Sequence, residues 1–194
     1  MPGHLGEVIE TSSTYFVAQC YSLGQAPPLG SLVKTASDEL DIYGVVSYAA
    51  TLPIDPGRRP LARGRDLSSP AQLLQENPQL PLLFRTDFRA TVVGFKQGED
   101  IQRVLPPVPA PIHGFVYLCA PAEVSRFTAA LAFLPLLLGP GEVPPEEVVA
   151  ACLRRAAPHH PDPNAFLVGA GKQLALSLRA DPMRLEAILM RMRL

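Results

Sequence analysis

The sequence has no tryptophan, three cysteines, and no apolar run longer than the ten residues from Ala129 to Leu138, which Pro135 interrupts. Each scarcity excludes something. Ten residues are too few to cross roughly 30 Å of hydrocarbon as a helix, so no membrane span is expected. Cys20, Cys119 and Cys152 are odd in number and far apart, which excludes a disulfide scaffold and suits reduced thiols acting as small buried apolar residues. Charged residues make up 18%, below the usual share of about 25%. The net charge is −1, from 17 Lys and Arg against 18 Asp and Glu, so the basic surplus typical of phosphate-driven nucleic-acid binding is missing. Met1-Pro2-Gly3-His4 lacks the basic start and apolar stretch of a signal peptide. A cytoplasmic location is the expectation.

What is present belongs to a globular chain. Apolar residues reach 47% of 194 residues. A chain of that size buries about 70% of its unfolded surface without help from a metal or disulfide. The first part reads as short strands: Glu7–Thr11, Tyr15–Tyr21, Ser31–Thr35 after the Gln25–Gly30 loop, and Ile42–Tyr48 after an acidic turn at Asp38-Glu39. Gly44 inside the last of these marks a bulge or barrel bend. Spacing of about 8–12 residues suits a small antiparallel sandwich or barrel. Val8, Phe16, Val33, Val45 and Val92 are the expected interior filling.

Between Leu52 and Arg85 the strand pattern breaks. Arg58, Arg59, Arg63 and Arg65 place four arginines in eight residues, and Ser69-Pro70 then opens a short helix with Leu73 and Leu74 facing inward. Strands resume at Phe88–Phe95 and Ile101–Leu105. The stretch at 52–85 is therefore an insertion between two strands of one barrel, and loops of that length are usually functional or disordered. Pro106–Pro111, with four prolines in six residues, is a stiff connector. It leads to a last strand, Gly114–Cys119. Beyond it come helix starts at Pro121 (running through Val124, Phe127 and Leu131), Pro144-Pro145, Asp162-Pro163 and Asp181-Pro182. In the third of these helices Leu167, Gly171, Leu174 and Leu178 share a stripe. The terminal helix, Pro182–Leu194, sets Leu185, Ile188, Leu189 and Met192 on one face. The fold class is α+β: a small antiparallel β-barrel over 1–120 with the 52–85 insertion, followed by a C-terminal helical region over 121–194.

Motifs that could carry chemistry fail on inspection. Gly169-Ala170-Gly171-Lys172 resembles the end of a phosphate-binding loop, but Phe166 stands where the first glycine belongs and Gln173 where a hydroxyl should hold magnesium. Small residues there suit close helix packing. His159-His160-Pro161-Asp162 lacks the ligand set of a structural zinc site, and Asp162 is placed to cap a helix. No Gly-x-Ser-x-Gly elbow occurs. His113 and Cys119 have no recognisable context for a Cys–His pair, and the carboxylate pairs Glu39/Asp41 and Glu146/Glu147 fall in a turn and at a helix start. No enzyme, no cofactor and no metal are expected. The arginine loop is the one feature above background. Guanidinium forks bind phosphate or carboxylate bidentately, yet no aromatic residues alternate with these arginines to stack on bases.

Three stretches resemble the HAS barrel, the small β-barrel shared by HerA-type DNA translocases and the N-terminal crown of ATP synthase ring subunits. They are Leu5-Gly6-Glu7-Val8-Ile9-Glu10-Thr11, Leu29-Gly30-Ser31-Leu32-Val33-Lys34 and Ile42-Tyr43-Gly44-Val45-Val46. The Phe88–Phe95 strand and the Pro106–Pro111 connector into Gly114-Phe115-Val116 also look like that barrel's closing part. The likeness covers residues 1–120, and the layout is similar to stand-alone HAS-barrel proteins of cyanobacteria. It implies an assembly or docking role. It does not imply ATP hydrolysis, because the remaining residues are too few for the ATPase domain that follows the barrel elsewhere. The expected function is a non-catalytic protein–protein interaction or assembly module, acting through a protein partner or self-association. Arg58, Arg59, Arg63, Arg65, Leu185, Leu189 and Met192 are its candidate contacts. The alternative is a nucleic-acid-associated accessory acting through the Arg58–Arg65 loop.

Overall fold

The computed structural model describes residues 3–36, 40–57 and 59–192. The acidic turn at Asp38-Glu39, Arg58 and the chain beyond Met192 lie outside the described residues. The strands are Gly6–Thr11 (β1), Tyr15–Cys20 (β2), Leu32–Ala36 (β3), Asp41–Pro53 (β4), Phe84–Gln97 (β5), Asp100–Gln102 (β6) and Phe115–Leu118 (β7). Pairing runs β2-β1-β7-β3-β4-β5, and β2 pairs in turn with β5, so six antiparallel strands close on themselves. Closure removes the unpaired edges that invite aggregation. The short strand β6 only extends β5 at one rim. The strand expected to reach Leu105 stops at Gln102, because Arg103 turns away to donate from Nε to the Phe127 carbonyl at 2.7 Å and from Nη2 to that of Arg126 at 3.0 Å.

Period-two alternation divides the barrel into an inner and an outer side. Val8, Phe16, Val33, Ile42, Val46, Phe88 and Val92 fill the interior. Val45 does not join them: it faces outward with Tyr43, into a second core shared with the helices. Gly44 points inward between the two, and a Cβ there would lie 2.8 Å from Cβ of Ala90 and 3.0 Å from the Phe16 ring. The register of β4 on β5 shifts at Tyr43/Gly44, as expected of a bulge.

Four helices follow the barrel: Pro121–Thr128 (α2), Pro145–Ala156 (α3), Pro163–Ser177 (α4) and Pro182–Met192 (α5), while Pro70–Glu76 (α1) lies in the insertion. Every one begins with proline, whose missing N–H costs nothing in the first turn. Ser69, Asp162 and Asp181 accept from the backbone N–H of Gln72, Ala165 and Arg184. Helix α2 ends at Thr128, short of Leu131, and a 3-10 turn at Leu134–Leu137 carries the chain onward. On α5, Ile188 and Met192 are buried and Leu185 packs against the shared core. Gly171 on α4 leaves room for Leu189, since a Cβ would meet its Cδ2 at 3.2 Å.

Close packing joins the helical layer to the barrel at Phe127 and at Gly30. Phe127 sits between Tyr43 and Phe133, with ring centroids 4.8 and 5.3 Å away. Each buried aromatic contributes about 2–3 kcal/mol by burial alone. Then α3 crosses the turn before β3 so closely that a Cβ on Gly30 would lie 2.4 Å from the backbone of Ala151 and Cys152. Arg155 Nε donates to the Leu29 carbonyl at 2.9 Å beside it. Gly30 also has φ +79°, and Gly24 has φ +75° with nothing within 4 Å of an added Cβ. Gly24→Ala is therefore expected to cost about 1–2 kcal/mol for the left-handed backbone alone. Gly30→Ala adds a backbone clash and should cost more than about 3 kcal/mol, with the two compared by denaturant unfolding.

Candidate functional site

Past the barrel rim, where β5 no longer pairs with β2, β4 and β5 continue as a short two-stranded ribbon, Thr51–Pro53 against Phe84–Thr86. The 54–83 excursion sits at its tip, closed by the Ile54 N–H donating to the Leu83 carbonyl at 2.9 Å. This excursion carries seven leucines. Among its described residues none is buried. Leu73 and Leu74, expected to face inward, find no core: Leu73 is half-buried and Leu74 is exposed. A ribbon held away from the barrel offers no second layer to pack against, so α1 buries nothing.

These side chains instead wall a groove of about 620 Å³ between α1, a 3-10 turn at Leu80–Leu83 and the ribbon tip, with Leu23 of the β2–β3 loop beside it. Leu61 is 79% and Leu82 75% exposed. Arg59 and Arg63 line the same groove. Among the described residues no carboxylate pairs with Arg59, Arg63 or Arg65. Asp55, the acid on the rim, accepts from the Gly57 N–H at 3.0 Å. Arg58 belongs to the undescribed residues. The sequence reading found the arginines but missed Ile54, Leu61, Leu82 and Leu83. Their signal was available as a leucine count too high for a solvated loop.

The other candidate contacts lie elsewhere, on α5. Met192 is 4% exposed and belongs to the shared core, so it faces the fold and not a partner; Leu185 is half-buried and Leu189 is 38% exposed over Gly171. The helix is held by Arg184 and Arg191, which pair at 2.5 Å with Glu146 and Glu147 in the first turn of α3. The groove arginines and the α5 stripe are thus not brought together into one surface.

Several titratable groups outside the groove have structural partners. Lys34 on β3 pairs with Glu123 on α2 at 2.7 Å, and Tyr43 donates to the same carboxylate at 2.8 Å. Burial works most strongly against the Lys34 ammonium, but the hydrogen bond to Glu123 and the charges of Glu123 and Asp41 together outweigh it and leave its pKa raised. Burial, then Glu123, pushes the Tyr43 phenol far up. Gly169–Lys172 lies within α4, not in a strand-to-helix loop. A second exposed patch on the outer barrel joins His4, stacked on Phe115 at 4.7 Å, with Tyr21. A smaller cleft of about 260 Å³ beside Tyr15 is crossed by the Arg89–Glu142 ion pair at 2.7 Å. Among the described residues no helix is long and apolar enough to cross a membrane, and no group of three His, Cys, Asp or Glu side chains is placed to hold a metal ion. No protein-family model matches the chain, and no match was found among curated proteins.

All three cysteines are free and buried. Burial raises the Cys20 thiol to about 11 and Cys152 to about 12, and pushes Cys119 well up. The thiolate is the reactive form. The native chain should therefore leave a thiol reagent such as DTNB unconsumed over the time in which the guanidinium-unfolded chain reacts completely.

His160 gives a pH test. Thr128 Oγ1 donates to the Val124 carbonyl at 2.7 Å and so accepts from His160 Nε2 at 2.8 Å, which assigns the ring proton to Nε2; the ring stacks on Phe166 at 3.9 Å. Burial first, and the charge of His159 second, lower its pKa from 6.5. The folded chain thus binds this proton less readily than the unfolded chain. Its contribution is present above about pH 6.5 and is lost as pH falls through the folded value. Melting temperature should drop as pH falls from about 7.5 to about 5, and His160→Asn should flatten that drop.

Proposed function

We propose that this chain is a non-catalytic protein-interaction or assembly module, in which a closed barrel and its helical layer hold the 54–83 excursion away from the core as a docking element. The observation that supports this reading is the groove itself. An excursion with seven leucines and no buried described residue exposes apolar surface that a folded protein ordinarily covers. Folding does not require that surface, since both barrel core and shared core are complete without it. The resemblance of residues 1–120 to HAS barrels, which serve assembly in their larger proteins, is in keeping with this role but rests on fold-level analogy.

The nucleic-acid reading keeps one point in its favour, the unpaired Arg59, Arg63 and Arg65. Against it stand the aliphatic walls between them and the net charge of −1. Affinity capture from the source cells separates the two. A protein retained stoichiometrically by the wild-type chain and lost from the Leu61→Ser/Leu82→Ser variant supports the module. Nucleic acid retained by that variant and lost from Arg59→Ala/Arg63→Ala/Arg65→Ala would replace it.

A further inference from the structure

We infer that the groove takes a short acidic segment of a partner protein carrying large aliphatic side chains; this rests on the interaction-module reading above. Two features of the same site specify such a ligand together. The floor and walls are aliphatic, from Ile54, Leu61, Leu73 and Leu82, and will desolvate side chains of leucine type. On its rim Arg59 and Arg63 present guanidinium forks with no carboxylate partner among the described residues. A guanidinium bordering apolar surface gains most from a carboxylate that arrives with it and forms paired hydrogen bonds in a partly desolvated setting. Asp55 on the same rim accepts from the Gly57 N–H through Oδ1 at 3.0 Å.

The shape argues for a peptide over other ligands. The volume of about 620 Å³ lies within the range of small-molecule pockets, but walls as exposed as Leu61 and Leu82 leave it a trough and not an enclosed cavity. An apolar trough with charge at its rim is the arrangement by which amphipathic segments are read through a few spaced anchors. Stacking surfaces for bases are lacking, Phe84 being the one aromatic residue lining it.

The experiment is selection from a random-sequence peptide library displayed on phage, using the full chain as bait and Leu61→Ser/Leu82→Ser as counter-bait. Both substituted residues are exposed, so the counter-bait should melt as the wild type does. The expected result is enrichment of peptides with net negative charge and at least two large aliphatic residues. Arg59→Ala/Arg63→Ala should weaken an enriched peptide about tenfold in fluorescence anisotropy. The same peptide should bind less tightly as salt rises, because exposed charge pairs are screened. Enrichment of basic or uncharged peptides that still need the groove would overturn the acidic ligand and leave the module standing. No groove-dependent enrichment, with labelled single-stranded DNA or phosphatidylserine vesicles bound instead, would overturn both.

Discussion

The approach of α3 to the turn at Gly30 is the contact on which the arrangement of both halves depends. Only a residue without a side chain lets the helix backbone rest where a Cβ would stand, 2.4 Å from two of its atoms. That closeness brings Val148, Val149 and Leu153 onto the outer face of the barrel, where Leu32, Tyr43 and Val45 complete the same core. Strands β3, β4 and β5 are consequently buried on both sides, an uncommon position for antiparallel strands, which usually face water on one. Around this seat the polar links are few and specific. Arg155 reaches the Leu29 carbonyl, Glu123 joins Lys34 to Tyr43, and Arg103 satisfies carbonyls at the end of α2. Each ties a helix to the barrel through a group that would otherwise be an unmet donor or acceptor.

The excursion follows the opposite logic. It hangs on the tip of the β4–β5 ribbon, where its leucines meet one another and Leu23, Pro53 and Phe84 but no buried core. Burial there is incomplete in the isolated chain, and apolar burial is the main source of stability for any segment. Covering such a surface removes apolar area from water, which is favourable. Docking elements are commonly drawn from such regions. Rigid support behind an under-packed element suits a part that binds without disturbing the fold.

Chemistry that looked available from residue types is absorbed by structure. Three thiols lie in apolar surroundings that hold them protonated, His160 hydrogen-bonds Thr128 against Phe166, and Asp162 caps α4. Among the described residues Arg59 and Arg63 have no carboxylate partner and line an apolar groove.

Much was legible in the residues alone, wherever local physics decides. Short alternating strands implied a small antiparallel sandwich or barrel, and the β2–β5 pairing of the structure closes it. Ser69, Asp162 and Asp181 before proline marked three helix starts, because capping and the proline ring act within one turn of chain. Gly44 signalled its bulge. Burial was less legible, since it depends on neighbours distant in sequence. Val33 and Val45 are both strand valines, yet one fills the barrel and the other meets the helices. Leu174 and Leu74 are both helical leucines, yet one is buried against α5 and the other lines a solvent groove. The sequence by itself determined the kinds of elements and where they begin. Only the tertiary structure decided which apolar faces are covered, because a side chain is buried by what lies across from it and not by what lies beside it along the chain.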